Sequence, residues 1–285
     1  MIIKYNRIIY MNKINYKYTF IIYILLNSFF IFSCHSKDKE LTIAGDACTV
    51  PLAQKLADAF TQKTGVKVNI QAAGCATGIY KAVLGEVDIG VSTHDVDKSS
   101  LPAGTTVKVI AKAPTILIVN KKNPINNLSI SQVKDLISGK IENWKSLGGK
   151  DIKIKNVFLQ TCTVDTFAKK TSPVGKNIER IYPKESNYGV EATNNLVTEY
   201  EEAIGLQIFG YQGDDVKILK IDGELPDEST FPRKYGYYQD YSIIIKGRPK
   251  GNSKAFLDFA LSDEGQDIAA SLKHIKIEEK VNSPG

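Results

Sequence analysis

Four cysteines carry the most distinctive chemistry in this 285-residue chain. Cys34 closes an apolar run near the N-terminus, whereas Cys48, Cys75 and Cys162 each lie in a short polar loop just ahead of a helical pattern. Those loops read Gly45-Asp46-Ala47-Cys48-Thr49, Gly74-Cys75-Ala76-Thr77-Gly78 and Gln160-Thr161-Cys162-Thr163, and a fourth polar loop, Ser92-Thr93-His94-Asp95, supplies an imidazole. A helix N-terminus favours the thiolate over the thiol. Three thiolates and an imidazole brought to one point form a soft donor set, suited to zinc, cuprous copper, an iron–sulfur cluster or a trivalent metalloid. Two of the three thiols could instead pair as a disulfide, as exported proteins usually do, and the odd count then leaves one over. A thiolate with His94 as its base would be an enzyme's nucleophile, but no turnover motif such as a nucleophile elbow accompanies it, so no enzymatic activity is expected.

Ahead of these loops stands a segment that is not part of the folded core. Lys13 and Lys17 form a basic front, residues 18–33 are apolar apart from Thr19, Asn27, Ser28 and Ser33, and the run ends in Ile31-Phe32-Ser33-Cys34. A membrane-spanning helix needs ~20 apolar residues, so the run reads as a signal peptide over residues 1–33, ending in a sequence that resembles a bacterial lipobox. Cys34 is then the expected lipidation site and residues 34–40 a tether. Met11 opens its own basic, apolar and cysteine order, so translation could begin there. Removing the leader's four basic residues lowers the formal net charge from +6 to about +2. A nearly balanced chain without basic blocks interleaved with aromatics excludes a nucleic-acid partner.

The elements that must position the loops alternate in type, as parallel sheets with crossover helices do. Strands are predicted at residues 41–44, 66–70, 87–91, 107–110 and 115–119, with helices at 50–64 and 78–84. The pattern continues with helices at 131–138, 165–170 and 191–200 and strands at 152–159, 203–211 and 216–221. A strand at 241–245 and helices at 253–261 and 262–273 close the chain. The fold class is α/β.

Several stretches resemble the phosphate-binding proteins of bacterial ABC importers, in the correct order along almost the whole mature chain. They are Leu41-Thr42-Ile43-Ala44-Gly45 followed by Thr49-Val50-Pro51-Leu52-Ala53; Gly85-Glu86-Val87-Asp88-Ile89-Gly90-Val91-Ser92; Gly139-Lys140-Ile141 with Asn143-Trp144 and Leu147-Gly148-Gly149; Ala203-Ile204-Gly205; and the C-terminal stretch from Phe256 to Gly265. The resemblance implies a two-lobed type II periplasmic-binding-protein fold, with strands crossing between lobes near Ala113 and Tyr238. Residues 41–113 with 239–285 would form a discontinuous lobe 1, and residues 114–238 lobe 2. It further implies a monomeric, extracytoplasmic receptor, held to the membrane by its lipid, that passes a small ligand to an ABC permease.

In that family the loops at helix N-termini give amides and hydroxyls to a tetrahedral oxyanion, because unsatisfied amides and the helix dipole both favour negative charge. Carried over, the ligand contacts are Cys48, Thr49, Cys75, Ala76, Thr77, Thr93, His94, Cys162 and Thr163. This sequence departs from the pattern in having a cysteine where each of three loops favours serine, and Val164-Asp165 where an arginine would pair with the anion. The expectation drawn from these departures is a thiophilic metal species held by Cys48, Cys75, Cys162 and His94. The alternatives are phosphate or a related oxyanion, or a redox protein with a permanently bound centre.

Overall fold

The computed structural model describes residues 40–74, 76–93, 96–159, 162–171, 190–227 and 229–277, without the side chains of Cys162 and Asp165. The leader, Cys34 and the candidate ligands Cys75 and His94 lie outside the described residues. Strand β1 (Glu40–Gly45) feeds helix α1 (Val50–Thr64), which returns the chain to β2 (Lys67–Ala72). Pro51 in the first turn needs no partner for its missing N–H, and Gly65 stops the helix at φ 74°, a left-handed conformation that glycine adopts without strain. Leu52, Ala53, Leu56, Ala57 and Phe60 bury one face of α1, with Phe60 wedged between Phe256 and Phe259 at centroid distances of 5.3 and 5.7 Å. Helix α2 (Thr77–Leu84) then leads to β3 (Ile89–Ser92). Both β2 and β3 pair parallel to β1, with Ala72 and Val91 opposite Gly45, so all three strands end at the same edge of the sheet. That edge is where the site loops emerge.

The chain then enters β4 (Thr106–Asn120), a single strand of 15 residues. The sequence reading of two separate strands at 107–110 and 115–119 is corrected here. Pro114, between the two, has no backbone N–H to donate. Its carbonyl still accepts from the Phe209 amide at 2.8 Å, and the Thr115 amide donates to the Tyr237 carbonyl at 2.8 Å, so pairing runs through the proline. The next elements are β5 (Asn127–Leu128), α3 (Ile130–Ile137), β6 (Lys155–Val157), α4 (Cys162–Lys170), α5 (Val190–Glu199), β7 (Ala203–Ile208) and β8 (Val216–Ile221). The strand expected over 152–159 is thus reduced to three residues. β9 (Tyr238–Ile245), α6 (Gly251–Leu261) and α7 (Asp263–Ser271) complete the described chain.

The sheet runs β2-β1-β3-β9-β4-β7-β6, with β8 also on β4 and β5 on β8. Beside two smaller clusters among the described residues, two large hydrophobic cores divide it. One gathers residues from Leu41 to Ala111 and from Tyr241 to Ala269; the other gathers residues from Ile116 to Tyr235. Strands β4 and β9, paired antiparallel from Thr106 opposite Ile245 to Pro114 opposite Tyr238, belong to the first core at one end, and β4 continues into the second. The segment after α7 joins them, since Ile275 and Lys112 exchange both backbone hydrogen bonds. The single tryptophan, Trp144, is buried in the second core, where its indole N–H donates to the Glu202 carbonyl at 2.9 Å.

Candidate functional site

The turn between β1 and α1 is held from within. The buried Asp46 carboxylate accepts the amides of Cys48 at 2.9 Å and Thr49 at 3.1 Å. Its carbonyl accepts the Thr49 hydroxyl at 2.7 Å. Thr49 is fully buried, and its own carbonyl accepts the Tyr241 hydroxyl from β9, so its side chain serves the turn. This leaves Cys48, 7 % exposed, as the side chain that leaves the turn towards the second core. It packs on Ala113 of β4, Ile208 of β7 and Tyr211, and its Sγ stands 3.6 Å from the Thr163 Oγ1 in the first turn of α4. The start of α1 therefore meets the start of α4 across the boundary between the cores.

The second loop lies beside the first, with the Ala73 amide donating to the Gly45 carbonyl at 2.7 Å. Ala76 caps α2 without a side-chain acceptor, and Ala76 and Thr77 are both exposed. Cys75 precedes this start but falls outside the described residues. Thr93 follows β3, is fully buried, and its hydroxyl has no hydrogen-bond partner among the described residues. Thr166, one turn along α4 from Thr163, presents a second buried hydroxyl in the same condition. Of the residues chosen from sequence, Cys48 and Thr163 are in contact, Thr93 follows the strand neighbouring β1, and Ala76 caps α2, which opens with Thr77. Cys162 is the first residue of α4. Among the described residues no group of three or more His, Cys, Asp or Glu could hold a metal ion; Cys75, His94 and the Cys162 side chain are not among them.

Sequence reasoning overlooked four residues around this junction: Asp46, Tyr211, Tyr241 and His274. Asp46 could have been found, because an aspartate in a polar turn accepts the backbone amides of the residues that follow it. Tyr211 and His274 are 63 positions apart, and no local pattern pairs them; the Tyr211 hydroxyl lies 3.2 Å from the His274 Nε2. Burial, with the Cys48 thiol and Asp46 nearby, raises the Tyr211 phenol above its ordinary range, and burial does the same to Tyr241. Both remain protonated donors. Burial lowers the His274 imidazole from 6.5 to about 4, so at neutral pH its Nε2 can accept from Tyr211.

Two α/β cores joined by paired strands, with the starts of helices facing each other where the cores meet, define a two-lobed binding protein of the type II periplasmic class. Residues 35–264 match the PBP superfamily domain, and the chain belongs to that superfamily, as a homologue of the PstS phosphate-binding proteins of ABC transporters. It is 31% identical over 234 residues to the phosphate-binding protein PstS of Bacillus subtilis, covering 80% of this chain and 77% of that protein. A Clostridium perfringens structure, described as a phosphate ABC transporter substrate-binding protein with bound phosphate, superposes at a TM-score of 0.77 with 31% identity, over 84% of this chain and 100% of that one. An ABC-type phosphate transport receptor from Vibrio cholerae shares the fold, with a TM-score of 0.68 and 21% identity over 83% of this chain and 100% of that one.

Proposed function

We propose that this chain is the extracytoplasmic solute-binding component of an ABC importer, and that it captures phosphate or a related oxyanion between its lobes. The observation that carries the reading is the meeting of two helix starts, at Cys48 of the α1 turn and Thr163 of α4, in a chain with 31% identity to a phosphate-bound relative. The dipoles of helices that start at one place favour an anion there. Residues 41–113 with 239–285 act as one lobe and 114–238 as the other, and closure about β4 and β9 buries the ligand and prepares the monomer for its permease.

This reading replaces the thiophilic-metal expectation as the leading one, since the named relatives are phosphate-binding proteins. The soft-ligand alternative retains one supporting observation: Cys48 lies at the boundary between the cores and α4 itself begins with Cys162. Titration calorimetry on ligand-stripped protein separates the two. Saturable one-to-one binding of inorganic phosphate, with no binding of zinc or anaerobic cuprous ion, is the expected result, and the reverse pattern would overturn it.

Cys34 carries the membrane anchor in this reading. Cys34→Ser should release the protein from membranes, with intact mass as the measurement; an unlipidated wild-type protein that keeps its leader would end the claim.

A further inference from the structure

We propose that Asp46 is a specificity-determining residue of the cleft: a fixed negative charge that already occupies the α1 amides and so weakens the binding of multiply charged oxyanions. The inference rests on the oxyanion reading and refines it.

Each backbone amide has one proton to donate. Those of Cys48 and Thr49 are committed to the Asp46 carboxylate at 2.9 and 3.1 Å, and the amides of Thr49 and Val50 lie 3.0 and 3.3 Å from the Asp46 carbonyl. Asp46 is 3 % exposed, so water does little to screen its charge. An anion arriving at this turn therefore meets an internal carboxylate where a helix start would otherwise offer donors. At α2 the situation is opposite, because Ala76 supplies no side-chain acceptor to the first amides.

A second observation shows where ligand oxygens would find donors. The Thr93 hydroxyl, just past the end of β3, is buried without a partner among the described residues, and Val91 of that strand stands opposite Gly45 of β1, level with the Asp46 turn. The Thr166 hydroxyl likewise has no partner among the described residues, one helical turn from Thr163 and its contact with Cys48. A buried hydroxyl without a partner is costly, and an incoming acceptor relieves that cost. The site is thus furnished with hydroxyl donors while α1 contributes negative charge, and the affinity for a dianion is lower than the fold alone would allow.

Asp46→Asn isolates the charge, because the amide oxygen of asparagine can still accept both turn amides. Calorimetry with inorganic phosphate at pH 8 should show binding at least ~10-fold tighter than wild type, a gain that largely persists when salt is raised, because salt screens buried charges little. A thermal melt checks the fold, and Asp46→Ser, whose hydroxyl also accepts amides, serves if the asparagine variant is unstable. Wild-type phosphate binding with no gain in a folded variant overturns the inference and leaves the oxyanion reading standing. No phosphate binding by either protein overturns both.

Discussion

Replacing Gly78 with alanine should destabilise the protein by about 3 kcal/mol and lower its melting temperature by roughly 10 °C. Gly78 is buried in the first turn of α2, pressed against the strand that leads into the site. A Cβ there would lie 2.5 Å from the Ala44 carbonyl oxygen and 2.9 Å from the Gly45 Cα, both backbone atoms of β1. Neither can yield without disturbing the pairing of β1 with β2 and β3. Gly90 of β3 reinforces the constraint, since a Cβ on it would collide with the Gly78 carbonyl. The strain falls on the same two segments that carry the first and second loops, so ligand affinity should fall along with stability. Gly74→Ala is the control in the same loop, because its Cβ would meet only the Thr77 hydroxyl, at 3.3 Å. Thermal melts and phosphate titrations of the two variants decide the matter. Equal melting temperatures for Gly78→Ala and wild type would show that α2 is not seated as described.

The second large effect concerns acid. His274 titrates at about 4 in the folded protein against 6.5 as its ordinary value, because burial disfavours the imidazolium. Between these two values the unfolded chain binds more protons than the folded one, so stability rises with pH across the window. The contribution is complete above about 6.5 and is lost as pH falls towards 4, and it amounts to about 3 kcal/mol in all. Urea denaturation of wild type and His274→Asn at pH values from 7.5 to 4.5 isolates it from the carboxylates that titrate in the same range. Wild type should lose stability faster than the variant as the solution is acidified. Parallel curves would mean that the imidazole takes up its proton in the folded state, and that the bond between Tyr211 and His274 does not depend on a neutral ring.

These two residues also mark what was legible in the sequence. The crossover helix α1 announced itself through its apolar spacing, Pro51 and Gly65, and the end of β1 through the polar turn that follows it. Local chemistry sets such features, and a short window contains all of it. The sequence reading divided β4 into two strands, at 107–110 and 115–119, whereas partners contributed by Tyr237 and Phe209, distant in sequence, keep the strand continuous. The site was legible as a set of loops, since Cys48 and Thr163 were selected from sequence and are in contact. Its inner support was not. Asp46, Tyr211, Tyr241 and His274 act through burial and through contacts across 60 or more positions or through a turn already counted as a ligand loop. Thr49 illustrates the limit at the level of one side chain: its type suits an anion contact, but full burial and the bond to the Asp46 carbonyl direct the hydroxyl inwards.

The role assigned to the cysteines divides the account from its rival, and one experiment addresses it directly. Calorimetric titration of inorganic phosphate into ligand-stripped protein, run on wild type and on a variant with Cys48, Cys75 and Cys162 all changed to serine, tests whether hydroxyls and amides suffice at the helix starts. The account predicts saturable binding to both proteins, with an affinity in the variant equal to or tighter than that of wild type. Phosphate binding by neither protein, together with stoichiometric zinc or cuprous ion uptake that vanishes in the variant, would contradict it.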